Sequence, residues 1–514
     1  MTSRRASSRR PAAVLLALLL GLWLASVAPA AAASEETSES LARAYLDRTP
    51  TSSMAVAVLH AGEVEVRGYQ RDGQGPAVDG DTPFRIASMS KSFTATLVML
   101  LAERGDLDLD APLSAVVPEF AMGDDRAGQI TLRMLLAHTS GIGGGSTRDL
   151  GQPASTDPEV LLADLRDETL GSTPGTEHVY SNTGYALAAV AVERSTGQDF
   201  AELMRAELLD PLGMDRTTTV PGCATPVEGL GSGHTALFGR TLRYPEPADN
   251  CLGSGGMVST AEDIATWLRF QSGDGLTQDG DRLLGVEALR ALHTAQPGTE
   301  GVGGYGLGWS FAEQDGVRFL EHSGAMVTWT SHMSIVRAPD GRPTGDAAVV
   351  LADTVGAPGL LARALAADAA GATGTIPDQP LLRPATVFGA LLVLLAVAGT
   401  LGLARSRSWP ARRRRAVPRA TGLLGLAAVA ALCVVLPSLL ARYAYGSVMG
   451  LTTAWHWGAG LLPEGVLLIA LTGLTSLVVL LARLVSVTRS RPATRPDRTG
   501  SGTAISSRGC NTLI

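Results

Sequence analysis

Ser88 and Lys91 stand three residues apart in Ser88-Met-Ser-Lys91, at the start of a helical run. Residues i and i+3 share a helix face, so the serine hydroxyl and the lysine amine can meet. A serine hydroxyl is a poor nucleophile until a base takes its proton, and a lysine whose pKa is lowered by burial can be that base. The N–H groups and partial positive charge of a helix N-terminus suit a developing oxyanion. Lys91 also stands out by composition: of the 42 basic residues it is the single lysine. A chain that has drifted so far toward arginine keeps lysine where an ammonium able to lose its proton is useful.

Two further groupings extend this pair. In Tyr180-Ser-Asn182 the phenol can share a proton shuttle with Lys91, and the amide can bind a substrate carbonyl or the lysine head. In His322-Ser323-Gly324 the His and Ser side chains offer polar contacts to a substrate carboxylate or leaving group, and the glycine lets backbone approach a ligand closely. No G-x-S-x-G elbow occurs, which argues against the common α/β-hydrolase arrangement, and no H-E-x-x-H or paired C-x-x-C points to zinc. Neither a metal nor a cofactor is expected. Gly141-Ile-Gly-Gly-Gly145 lacks a preceding strand and phosphate-binding spacing, so it reads as a loop.

The three groupings, in this order and spacing, resemble the motifs of the active-site serine penicillin-recognising enzymes. The similarity is greatest to the branch holding class C β-lactamases, secreted D-alanyl-D-alanine carboxypeptidases, D-aminopeptidases and related esterases. Ile130-Thr-Leu-Arg-Met-Leu-Leu-Ala-His138-Thr-Ser-Gly-Ile142, Asp210-Pro-Leu-Gly-Met214 and Gly255-Gly-Met-Val-Ser-Thr-Ala-Glu-Asp263 resemble supporting stretches of the same branch. The likeness covers about residues 40 to 370. It implies an acyl-enzyme on Ser88, proton handling by Lys91 and Tyr180, and substrate binding by Asn182, His322, Ser323 and Gly324. It further implies an oxyanion hole made by the backbone N–H groups of Ser88 and Ala325. The chain departs from the family after the third motif, where Ala325-Met-Val-Thr-Trp329 replaces the usual glycine and proline-glycine, so the groove has a shape of its own there. His138 reads as structural.

The elements that must position these groups are an α/β arrangement of β-lactamase type: an antiparallel sheet flanked by helices, plus an all-helical lobe, followed by three membrane spans. Met54–Leu59 and Glu63–Val66 read as a hairpin, and Tyr305–Phe311, Val317–Glu321, Val327–Val336 and Ala347–Asp353 as late strands. Helices are predicted from Ser88 to Arg104, over about 131–138, 158–170, 182–196 and 199–209, after Ser259-Thr260, and from Pro358 to Ala369. Strands at both ends with helices between them predict one composite domain whose early and late strands share a sheet.

The ends of the chain speak for a membrane. Residues 1–33 carry an Arg-rich start, an apolar stretch and a small-residue cleavage site, the pattern of a secretory signal peptide. Residues 34–372 form the hydrolase domain and 373–384 a linker. Apolar runs over 385–404, 421–441 and 465–482 are long enough to span a bilayer. The Arg-rich loop 405–420 and tail 483–514 are cytoplasmic by the positive-inside rule, leaving 442–464 and the hydrolase domain outside. The spans hold no paired charges, so they read as an anchor contacting lipid rather than an ion pathway. Because those arginines sit inside, the rest of the chain carries more than the whole net charge of −7, which disfavours nucleic acid. In an exported domain Cys223 and Cys251 are expected to form a disulfide, Cys433 to lie inert within a span and Cys510 to be a free thiol of the tail. The function read from these features is a membrane-anchored extracytoplasmic serine hydrolase acting on D-amino-acid peptides of the cell wall, β-lactams or small esters. The alternative is a catalytically weak penicillin-binding sensor of wall fragments that signals through the spans.

Overall fold

The computed structural model describes residues 38–71, 77–143, 156–376, 384–412, 416–445 and 451–489. The signal peptide expected over 1–33 and Cys510 of the tail lie outside them. Helix α1 (Ser38–Arg48) precedes strands β1 (Ser53–His60) and β2 (Glu63–Gln70). Their turn is Ala61-Gly62, with φ of 49° and 86°; two positive values give the turn twist that matches paired strands. A short strand β3 (Phe84–Arg85) leads through one three-ten turn, Ala87–Met89, into helix α2 (Ser90–Arg104).

Helices α3 (Leu132–Leu136), α4 (Pro158–Leu165), α5 (Asn182–Thr196) and α6 (Phe200–Met204) supply the helical lobe. Thr131, Asp157, Ser181 and Asp199 each cap the next helix by accepting a backbone N–H, which explains where the helices begin. Strand β4 (Thr218–Thr219), hairpin strands β5 (His234–Leu237) and β6 (Arg240–Arg243), and strand β7 (Met257–Ser259) come next. Helix α7 (Ala261–Ser272) starts at the Thr260 cap, and α8 (Val286–Leu292) follows it. The last part of the domain is β8 (Ser310–Gln314), β9 (Val317–Ala325), β10 (Thr330–Arg337), β11 (Pro343–Ala352) and α9 (Pro358–Ala369).

Strands from the two ends of the domain meet as the sequence predicts. The main sheet runs β2-β1-β11-β10-β9-β8 with every neighbour antiparallel, and Met54 of β1 lies opposite Ala352 of β11. Side chains alternate across β1, so Met54, Val56 and Val58 pack against α1 and α9, while Ala55, Ala57 and Leu59 enter the main core. Both faces are covered, hence the nearly continuous apolar run. Helix α2 is buried from Ser90 to Leu101 and is therefore apolar or hydrogen-bonded all round.

Some boundaries differ from expectation. The strand expected at Tyr305 begins only at Ser310, because Gly306 and Gly308 (φ 79°) belong to a turn. The strand expected from Val327 begins at Thr330, because Met326–Trp329 forms the β9–β10 turn, closed by the Met326 N–H donating to the Trp329 carbonyl at 2.9 Å. The strand expected over Val317–Glu321 runs on to Ala325, so His322-Ser323-Gly324 lies within β9. Beyond the domain come α10 (Pro384–Ser406), α11 (Trp409–Arg412), α12 (Ala416–Tyr445), α13 (Leu451–Leu461) and α14 (Pro463–Arg489). Three of these are long and apolar enough to cross a membrane, over Ala385–Ser406, Arg419–Leu440 and Pro463–Arg489. The segment 442–464, read from sequence as a loop, contains helix α13.

Candidate active site

Ser88 sits in the middle of the three-ten turn between β3 and α2. The preceding residue, Ala87, holds a φ of 49°, a left-handed conformation that costs a non-glycine residue about 1–2 kcal/mol. The turn survives because neighbours over-determine it. The Ile86 N–H donates to the Met257 carbonyl at 3.1 Å, and the hydroxyls of Ser90 and Ser331 donate to the Ala87 and Ile86 carbonyls at 2.6 and 2.7 Å. β9 also presses on this turn. A Cβ at Gly324 would fall 2.2 Å from the Ile86 carbonyl oxygen, so only glycine lets strand and turn approach this closely.

Lys91 projects from the first turn of α2 and is fully buried. Its Nζ donates to Ser88 Oγ at 3.1 Å, to Asn182 Oδ1 at 2.7 Å and to the Ser254 carbonyl at 2.7 Å. The Tyr180 hydroxyl donates to the same Ser88 Oγ at 2.8 Å. The nucleophile candidate therefore lies between an amine and a phenol, and the Tyr180 ring covers Lys91 Nζ at 4.8 Å from its centroid. Tyr180 and Asn182 are aimed by the start of α5, where Ser181 caps by accepting the Gly184 N–H at 3.0 Å. His138 braces this segment from below. Its carbonyl accepts the Val179 N–H, its Nδ1 accepts the Ser181 N–H at 3.1 Å, and its ring lies 4.3 Å from that of Tyr180. Burial first, then the charge of Lys91, pushes the His138 pKa well down, so the ring stays neutral.

His322 is also buried. Its Nδ1 lies 2.7 Å from the Ser323 carbonyl, which can only accept, so Nδ1 carries the proton and Nε2 accepts from the Tyr305 hydroxyl at 2.9 Å. Burial and the nearby Lys91 charge push its pKa down to about 3. A substrate contact by this ring would require Tyr305 to surrender the Nε2 hydrogen bond. Ser323 and Ala325 alternate with it onto the exposed side of β9. Ala87, Ser88, Asn182, Ser254, Ala325 and Met326 line a common narrow cleft of about 50 Å³.

Residues 39–371 match the Beta-lactamase family. The chain belongs to that family. Its members are serine hydrolases. Penicillin-binding protein 4 of Amycolatopsis lactamdurans is 33% identical over 297 residues, covering 55% of this chain and 77% of that protein. The D-alanyl-D-alanine-carboxypeptidase/endopeptidase AmpH of Escherichia coli K12 is 29% identical over 279 residues, covering 51% and 69%. Among solved structures, the penicillin-binding protein homologue from Pyrococcus abyssi superposes with a TM-score of 0.56 over 69% of this chain and 80% of its own, at 23% identity; that likeness concerns the fold. The match to the beta-lactamase family ends before α10, so the apolar helices lie outside it.

Several residues of this beta-lactamase-family site carry no sequence signal. The Ser254 carbonyl meets Lys91 from 163 residues away, and Tyr305 reaches His322 across a turn. Glu246 accepts the N–H groups of Val327 and Thr328, each at 3.0 Å, and the Thr328 hydroxyl at 2.6 Å, and so holds the β9–β10 turn. Burial raises its pKa. Trp457 of α13 also lines the cleft. Cys223 and Cys251, both at the cleft wall, are joined as a disulfide with their Cα atoms 5.2 Å apart. Among the described residues no group of three or more His, Cys, Asp and Glu side chains is placed to hold a metal ion.

Proposed function

We propose that this protein is a membrane-anchored, extracytoplasmic serine hydrolase that forms an acyl-enzyme on Ser88. Its substrates are D-amino-acid peptides of the cell wall, β-lactams or small esters. The observation carrying this reading is the placement of Ser88 Oγ at 3.1 Å from Lys91 Nζ and 2.8 Å from Tyr180 Oη at the edge of a narrow cleft. In the reacting state Lys91 is the neutral amine and takes the Ser88 proton as Oγ bonds to the substrate carbonyl carbon. The oxyanion is held by the N–H groups of Ser88 and Ala325, the first lying in a helix start where backbone donors lack intrahelical partners. Tyr180 passes the proton to the departing amine or alkoxide, and water then hydrolyses the ester, returning the proton to the serine oxygen. Asn182 fixes both the Lys91 head and the substrate amide. Support for an exported domain comes from the signal-peptide pattern, the arginine distribution and the Cys223–Cys251 bridge.

A membrane-impermeant fluorophosphonate and a fluorescent penicillin, added to intact cells, test the reading. Wild type is expected to be labelled and Ser88→Ala spared. Equal labelling of both would remove the acyl-enzyme, and labelling only after lysis would place the domain inside. A lasting stoichiometric adduct with no turnover of any ester or D-peptide would favour the sensor instead.

A further inference from the structure

Helix α13 stands between the second and third membrane-length helices, yet it packs on the hydrolase domain. The Tyr244 hydroxyl donates to the His456 carbonyl at 2.7 Å and the Thr235 hydroxyl to the Gly460 carbonyl, and at the start of the following helix α14 Glu464 Oε1 accepts the Phe238 N–H at 2.6 Å. Gly460 lies against Val327, so close that any Cβ would overlap that side chain. Val327 belongs to Ala325–Trp329, the stretch where the chain departs from its family. Trp457 of the same helix lines the cleft that holds Ser88, Asn182 and Ala325, and its indole N–H is buried with no hydrogen-bond partner among the described residues. At the same end of the domain, hairpin β5–β6 leaves Phe238 and Leu242 exposed, and the Phe238 ring comes within 4.0 Å of the Cβ position of Gly389 in α10. Helix α13 also packs against α12 and α14, so it stands between the cleft and the membrane-length helices, and its Trp455 and Trp457 are of the kind that settles at a membrane surface.

We propose that α13 is the membrane-side wall of the cleft, that Trp457 is a specificity-determining residue, and that the site draws its acyl group from an amphiphile: a D-amino-acyl peptide or ester tethered by a hydrocarbon chain in the adjoining leaflet. This inference rests on the acyl-enzyme reading above and concerns only what that site accepts. A tether confines the substrate to the surface that the cleft adjoins, which raises its effective concentration there. The Trp457 ring packs on the stem between tether and acyl group. The reaction itself is unchanged: the Ser88 Oγ–carbon bond forms, and the substrate C–O or C–N bond breaks with its leaving group protonated.

The test uses the full chain in phospholipid vesicles and two substrates, acetyl-D-alanyl-D-lactate and its hexadecanoyl counterpart. In wild type kcat/KM is expected to favour the hexadecanoyl ester at least tenfold. Trp457→Ala should cut that preference at least fivefold, and Trp457→Phe should restore most of it. Gly460→Leu, which pushes α13 away without touching the indole, should act like Trp457→Ala. A wild-type preference near unity, or one unchanged in both Trp457→Ala and Gly460→Leu, overturns the inference. Fluorophosphonate labelling at Ser88 is followed in parallel: an unlabelled wild type would sink the acyl-enzyme reading itself, whereas a labelled wild type without the preference sinks only the membrane-tethered substrate. The wild-type comparison stands even where a variant does not fold.

Discussion

At the scale of single residues, the site turns on where one proton goes. Ser88 Oγ has an amine and a phenol within hydrogen-bond reach, and the amine is enclosed by protein on every side. Arginine at position 91 could satisfy the same acceptors but could not give up its proton near neutral pH. Lys91→Arg is therefore expected to slow acylation by a factor on the order of 10²–10⁴. Stopped-flow labelling measures this, with thermal unfolding run on the same sample to show that the fold persists. Undiminished acylation would pass the role of base to Tyr180. Ser88, Lys91, Tyr180 and Asn182 were all legible in the sequence, because helix periodicity and local spacing bring their side chains to defined faces. Tyr305 and the Ser254 carbonyl were not, since nothing in local spacing predicts which distant turn folds over a lysine. The left-handed Ala87 was equally invisible: alanine is not a residue type that announces positive φ.

At the scale of elements, Glu321 locks α9 onto the sheet. Arg363 donates to its two carboxylate oxygens at 2.5 and 2.8 Å, and His332 Nε2 lies 3.2 Å away. Burial would raise this carboxyl, but the hydrogen bonds from Arg363 and His332 outweigh it and hold the pKa at about 2, against the ordinary 4.5. A carboxyl with a depressed pKa contributes stability that is present above the unfolded value and lost as pH falls. That contribution, about 3 kcal/mol, should fade between pH 4.5 and about 2. His322, held near 3 against 6.5, acts in the same direction from higher pH, because the unfolded ring takes up a proton that the folded one refuses. Denaturant unfolding is expected to show stability falling from about pH 6.5 downward and more steeply below about 4.5. Glu321→Gln should remove the steeper part; an unaltered acid limb would show that the Glu321–Arg363 lock does not set acid stability. The main elements could be read from periodicity and caps, but hairpin β5–β6 and helix α13 could not. Both are short, and the contact between them, such as the Thr235 hydroxyl on the Gly460 carbonyl, spans more than 200 residues of chain.

At the scale of the whole molecule, a catalytic domain and a set of apolar helices share one wall. The spans of membrane length leave large side chains such as Val393, Leu424 and Leu474 more than half exposed, a surface that water does not tolerate and lipid does. The full chain should stay with membranes through an alkaline carbonate wash and come off only in detergent, as followed by labelling at Ser88; release by the wash alone would remove the anchor.

The sequence by itself determined the candidate nucleophile, the amine beside it, the family likeness, the shared sheet of early and late strands and the three apolar helices. All of these follow from local rules: side-chain spacing on a helix or strand, capping and length of apolar run. Only the tertiary structure decided that His322 faces Tyr305 inside the protein, that Gly324 is required by the turn carrying Ser88, and that a helix between two helices of membrane length brings Trp457 to the cleft. Those outcomes depend on which surfaces pack together after the chain has folded, and packing is set by shape and burial summed over distant segments, which no local pattern records.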